Sequence, residues 1–277
     1  MGAMDVLSAD WRGICRRIVA EQRRIFDGTP GIEERTVYEG VGEGGDRALA
    51  IDRRCEDVVF AELERLAADG ASFVAVSEER GEVPFGDGGS GKVVIDPIDG
   101  SLNARRTLPS HSLSIAVSRG PSMADVGFGF VHDFGADEEF VAERGGGATL
   151  DGEEIRVGED REKLEVLGLE AAEPRRALPV LEALDGRVYR LRVVGSIAIT
   201  AAYVAAGRFD AMLSLRPCRS VDIAAAQLIA TEAGGRVAFG RLEAGEADLG
   251  IDARYPVGVA AGELSLGTVR ACLEAAG

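Results

Sequence analysis

Apolar positions between Asp10 and Phe26 fall at Trp11, Ile14, Cys15, Ile18, Val19, Ile25 and Phe26, with arginine and glutamate between them. That three-to-four-residue spacing predicts an amphipathic helix. A Gly- and Glu-rich stretch from Glu39 (EGVGEGGD) predicts a mobile loop. A second apolar stripe, Cys55, Val58, Val59, Leu63 and Leu66, predicts a helix from about Asp52 to Ala68. Asp52 would stand in its first turn, where a carboxylate meets the positive helix end. The period then changes to short β-rich runs bounded by Gly, Pro and Asp: Phe73 to Val76, Val93 to Ile95, Ser112 to Val117, Val126 to Val131 and Glu139 to Val141.

After Val157 strands and helices alternate. Strands are expected at Leu164 to Gly168, Arg190 to Val194, Asp210 to Leu213 and Val257 to Ala260. Helices are expected at Pro174 to Leu184, Ser196 to Ala206, Asp222 to Ala233 and from Leu264. Grouped strands followed by alternation predict an α/β protein of layered sheets and helices. Two sub-domains are expected, an α+β part over residues 1–157 and an α/β part over 158–277. The 277 residues, 46% of them hydrophobic, are enough for one large core or two closely packed halves.

Acidic residues outnumber basic ones 47 to 31, a formal charge of −16 that repels nucleic acid and anionic membranes. Cys15, Cys55, Cys218 and Cys272 are scattered, which supports neither a zinc site nor a disulfide scaffold and suggests reduced thiols in a cytoplasm. The opening MGAMDVLSADWRG carries acid early and no apolar run, so neither a secretory leader nor an anchor is expected. No segment approaches the ~18 apolar residues of a membrane span.

The most informative stretch is VVIDPIDGSLN, Val93 to Asn103. Three β-branched residues predict a buried strand, broken at Asp96-Pro97, with Asp99 one turn later and Gly100-Ser101 opening a helix. Two carboxylates and the Ile98 carbonyl would then share the C-terminal end of a strand, the edge where ligands sit in open α/β sheets. The N–H groups of Gly100 and Ser101 would suit a phosphate. Pro and Asp-Gly are also ordinary turn chemistry. Carboxylates recur at comparable places, however: Glu78 and Glu79 follow the run FVAVS, and Asp222 begins an apolar helix, where alone it would read as a cap.

DPIDGSLN resembles the metal-binding signature of the lithium-sensitive phosphatase superfamily, which joins inositol monophosphatases, fructose-1,6-bisphosphatases and bisphosphate nucleotidases. VSEERG (Val76 to Gly81), GGGATLDGEEIRV (Gly145 to Val157) and VDIAAAQLIATEAGG (Val221 to Gly235) are similar to three further elements of that superfamily, in the same order. The matches span Asp52 to Gly235, about two thirds of the chain. The resemblance implies an α-β-α-β-α sandwich, a homodimer, and a site for two or three Mg²⁺ or Mn²⁺ ions. Its ligands would be Glu78, Asp96, the Ile98 carbonyl, Asp99 and Asp222, with Glu79 in an outer contact. All these donors are oxygen, which suits Mg²⁺ rather than zinc. Such ions would also reconcile an acidic protein with an anionic substrate. Ser101 would hydrogen-bond the attacking water and Asp52 accept its proton. The two histidines, His111 and His132, match no metal position and are expected to be structural.

The chain departs from the pattern at Val221, where Trp is usual, and at Ala226, where Gly is usual. Leu215 stands where inositol-selective members often place Glu. Arg192, Arg216 and Arg219, with Arg190, offer instead a basic wall suited to a second phosphate. Gly195 and Ser196 resemble a substrate-contacting Gly-Ser pair. DPIDGSxN with D-I-A-A is more similar to the archaeal-type dual-specificity branch than to animal inositol monophosphatases. GDGGSGK (Gly86 to Lys92) imitates a nucleotide P-loop, but Val93 stands at the Ser/Thr position and a strand is expected to follow. The expected activity is Mg²⁺-dependent hydrolysis of a small phosphorylated polyol or sugar, with inositol-1-phosphate preferred. Fructose-1,6-bisphosphate, histidinol phosphate and nucleotide 3′-phosphates are alternatives, as is a cation-binding scaffold without turnover.

Overall fold

Side-chain parity along one strand sets the layers. In the computed structural model, which describes residues 5–41 and 47–276, Val93 and Ile95 of the strand Lys92–Asp99 cluster with Trp11, Ile18, Val59 and Leu63. Val94, between them, clusters with Ala198, Ala225 and Ile229. Alternate residues of a strand face opposite ways, so this sheet carries helices on both sides. Helices Trp11–Asp27 and Ala50–Ala68 cover one face, and Ile197–Ala205 and Ser220–Glu232 cover the other.

That sheet has eight strands, in the order Glu153–Ile155, Gly147–Leu150, Glu138–Glu143, Val126–Asp133, Ser112–Ser118, Lys92–Asp99, Phe73–Ser77, Gly81–Phe85. Every neighbour is antiparallel except Phe73–Ser77 against Lys92–Asp99, which run parallel and so end at the same edge. A five-stranded sheet follows, in the order Val188–Arg192, Leu164–Glu170, Ala211–Ser214, Gly258–Ala260, Arg236–Ala238. Leu164, Leu167 and Leu213 of this sheet pack with Val180 and Val269 from helices Pro174–Leu184 and Glu263–Ala276. The layers thus run α-β-α-β-α, the architecture expected from the sequence. Helix Ser220–Glu232 lies between the two sheets, and every residue from Ser220 to Ala230 is buried. A helix apolar on all sides has no solvent face to keep, and its three consecutive alanines keep it narrow.

Three local expectations are corrected. The strand Lys92–Asp99 does not break at Asp96-Pro97; it pairs Asp96 with Ser114 and Asp99 with Ser112 across an irregularity between them. Pro97 has no N–H for the ladder, and a bulge is where a sheet tolerates that loss. Gly81–Phe85, which the sequence pattern left unassigned, is a strand on the sheet's edge, where Pro84 is tolerated. The Gly-rich stretch expected to be a loop from Glu39 opens instead as a strand, Tyr38–Val41, paired antiparallel with Arg47–Leu49, and its remaining residues 42–46 lie outside the described residues. Lys92 opens a strand and not a helix, so GDGGSGK is a linker. Among the described residues, no helix is long and apolar enough to cross a membrane.

Candidate active site

The parallel pair Phe73–Ser77 and Lys92–Asp99 delivers Glu78, Glu79, Asp96 and Asp99 to one edge. Asp52, in the first turn of helix Ala50–Ala68, meets them there. A cavity of about 530 Å³ is lined by Asp52, Glu78, Glu79, Asp96, Ile98, Asp99, Gly100, Ser101, Arg105 and Arg219, with Leu49 and Leu102. Asp222, the third residue of helix Ser220–Glu232, lines two adjoining cavities that also contain Arg219. Gly100 turns the chain from strand to helix at φ 90°, and a β-carbon there would stand 2.9 Å from the Ser110 carbonyl oxygen. Only glycine fits that turn.

Crowding of buried acids shows in their protonation. Burial, reinforced by Glu79 and Glu78, pushes Asp52 up to about 7. Burial and the Glu78 charge push Glu79 to about 7. Asp96, buried beside Glu78, Asp99 and Asp222, is raised well above the carboxylate range. Asp52 Oδ1 and Glu79 Oε2 are buried without a hydrogen-bond partner. Unpartnered carboxylate oxygens in such a place are what a hard divalent cation would satisfy, and the donors are all oxygen. The chemistry of the set fits Mg²⁺. Its arrangement is more open than the sequence implied: among the described residues no three acids, imidazoles or thiols close on one point as a ready ligand set.

Asp99 does a second job. Its carboxylate accepts hydrogen bonds from the Ser196 hydroxyl, from Ala198 N at 2.8 Å and from Ile197 N at 3.4 Å, so it sits on the N-terminus of helix Ile197–Ala205. Burial still pushes it to about 7. Ser196 in turn accepts from Ile199 N at 3.2 Å. The Ser101 hydroxyl donates to the Ile98 carbonyl at 2.8 Å and not to Asp52, although both side chains line the cavity. That carbonyl keeps a second lone pair. Gly195, at φ 85°, packs its backbone against Asn103 and lines the cavity beyond Asp99.

The basic wall is placed unevenly. Arg219 is half-buried among the acids: Nη1 donates to Glu78 at 2.5 Å and Nε to Asp222 at 3.3 Å. Arg216 pairs with Glu173 at 3.2 Å and lines, with Arg254, a cavity of about 360 Å³ beyond Asp222. Arg192 lies on an edge strand, where Nη1 donates to the Leu191 carbonyl, and lines none of these cavities. Both histidines sit among Phe26 and Phe134, away from the acids.

Three supports were not anticipated from sequence. Glu56 is buried, accepts from the Ser77 hydroxyl and binds Arg80 at 3.1 Å, thereby bracing both ends of the Glu78-Glu79 turn. A charged residue four positions after Asp52, on the helix's buried face, was the available signal. Glu170 is buried at a strand end and accepts from Val194 N, Gly195 N and the Thr200 hydroxyl, at 3.1, 2.9 and 2.7 Å. Arg105 adds a cation at the cavity wall, where it opposes the upward shift of Asp52.

The inositol monophosphatase family model matches residues 20–255, which include every one of these acids. The chain belongs to the inositol monophosphatase family. It is therefore a phosphatase, a phosphoric monoester hydrolase. As a family member it is 32% identical over 268 residues to a fructose-1,6-bisphosphatase/inositol-1-monophosphatase of Methanothermobacter thermautotrophicus, covering 92% of this chain and 93% of that one. It is 36% identical over 200 residues to an inositol-1-monophosphatase of Mesorhizobium japonicum, covering 70% and 72%. A crystal structure described as an inositol monophosphatase-fructose 1,6 bisphosphatase superposes with a TM-score of 0.83 at 27% identity, covering 96% of this chain and all of that one.

Proposed function

We propose that this inositol monophosphatase family member hydrolyses inositol-1-phosphate, with Mg²⁺ held by Glu78, Asp96, the Ile98 carbonyl, Asp99 and Asp222. The observation that carries the reading is five acids on one cavity, two of them with buried oxygens that no protein donor satisfies. Mg²⁺ bound there would neutralise ester oxygens and lower the pKa of a water. Asp52, buried on the same cavity, would accept that water's proton, with Ser101 lining the cavity to orient it. Four buried, unpaired cysteines and the family likeness support a cytoplasmic homodimer.

Purified protein should release phosphate from inositol-1-phosphate with Mg²⁺ and stop in EDTA. Asp96→Asn should lower kcat by about 10³-fold, some 4 kcal/mol of barrier. Near-normal turnover in that variant would refute the ligand assignment. A second reading, fructose-1,6-bisphosphate, is favoured by the cavity beyond Asp222, where Arg216 and Arg254 would meet a second phosphate.

A further inference from the structure

Glu78 and Asp222 lie 144 positions apart in sequence, yet one side chain joins them. Arg219 reaches Glu78 through Nη1 and Asp222 through Nε, and its backbone N–H caps Asp222 at 2.8 Å. The side chain is only 18% exposed, so the guanidinium stands inside the acid cluster and not at its rim. Asp96 also feels its charge. One fixed cation therefore touches or faces three of the acids assigned to Mg²⁺. The same three fail to close on a single point. A planar fork bonded to both Glu78 and Asp222 stands between those two carboxylates.

A divalent ion and this guanidinium want the same oxygens and repel each other. Binding the ion requires Arg219 to let go. Room exists for that movement, since the cavity of about 360 Å³ beyond Asp222 is lined by Arg219 itself, with Ser214, Arg216, Pro217 and Arg254. We propose that Arg219 is an exchangeable counter-charge, which ties Glu78 to Asp222 and is displaced from them when a divalent cation binds. The inference rests on the metal-site reading above. It adds that this chain weakens its own cation affinity with an internal competitor, and that the displaced guanidinium turns toward the cavity where an anionic group of the substrate would lie.

The test measures cation binding directly. Mn²⁺ affinity is determined by electron paramagnetic resonance for the unaltered protein, Arg219→Met and Arg219→Lys. Arg219→Met should bind Mn²⁺ about tenfold tighter, equivalent to ~1.4 kcal/mol. Arg219→Lys, a single-point cation without the fork, should fall between. Unchanged or weaker binding in Arg219→Met overturns the proposal. Should the methionine variant not fold, the unaltered protein still decides: the ¹⁵Nε signal of Arg219, assigned by its loss in Arg219→Lys, should shift on Mg²⁺ saturation, and a stationary signal overturns the proposal. If the unaltered protein neither binds Mn²⁺ nor releases phosphate, the metal-site reading falls and takes this one with it. If it does both while Arg219→Met binds no tighter, only the counter-charge fails.

Discussion

Ser196→Ala isolates the joint between the acidic edge of the first sheet and the central helix layer. Ser196 is 1% exposed, donates to Asp99 and accepts from Ile199 N, so one hydroxyl serves both as helix cap and as partner to a buried carboxyl. Losing a Ser cap costs about 1 kcal/mol. Losing one hydrogen bond to a buried acid costs a further ~1–3 kcal/mol. Asp99 keeps the Ala198 N–H, which holds the total near 3 kcal/mol rather than above it. For a chain of this size that corresponds to a fall in Tm of roughly 6–12 °C. Urea unfolding followed by circular dichroism, in EDTA, should show a lower midpoint with an unchanged slope. Ser112→Ala is the control, because its hydroxyl lies 3.5 Å from Asp99, at the limit of bonding, and should cost less than about 1 kcal/mol. A Ser196→Ala variant within about 0.5 kcal/mol of the parent, or a control equally damaged, would refute the reasoning.

Three further outcomes follow from charge. Asp52, Glu79 and Asp99 each sit near 7, above their unfolded values, so the folded chain binds more protons than the unfolded one between about pH 4 and 7. Their contribution to stability is complete below the unfolded pKa and is lost as pH rises toward and through 7, so in EDTA the stability should decline from about pH 4 to 7 and level off above that. Divalent binding needs the charged forms and should expel protons at pH 6.5; calorimetric Mn²⁺ titrations in two buffers of different ionisation enthalpy read this, and identical heats would contradict it. Arg254→Ala, next to Arg216 beyond Asp222, should cut kcat/KM for fructose-1,6-bisphosphate about tenfold while sparing inositol-1-phosphate, and equal losses would remove the second-phosphate role.

Sequence reasoning reaches those features whose signal is local. Helix Trp11–Asp27 is legible because its stripe repeats every three to four residues, and the aspartate-rich turn because Pro97, Gly100 and two acids lie within eight positions of Val93. Placement across the fold is not local. Arg219 precedes Asp222 by three residues, a spacing that reads equally as a solvent-facing helix pair or as a substrate wall. Its place among the acids is fixed by a bond to Glu78, which the parallel pairing of Phe73–Ser77 with Lys92–Asp99 brings over from the first sheet. Asp99 likewise reads as a ligand from its motif, and nothing near it in sequence announces that it caps a helix beginning at Ile197. The same holds for Glu170, whose partners Val194 and Gly195 are reached only after a helix and a strand. In each case the residue types were visible, whereas the pairing was made by sheet register and layer packing. That division has a physical consequence. The acids of this site would attract cations by composition alone, but on the proposal above how tightly they would hold one depends on a guanidinium that the fold, and not the motif, places among them.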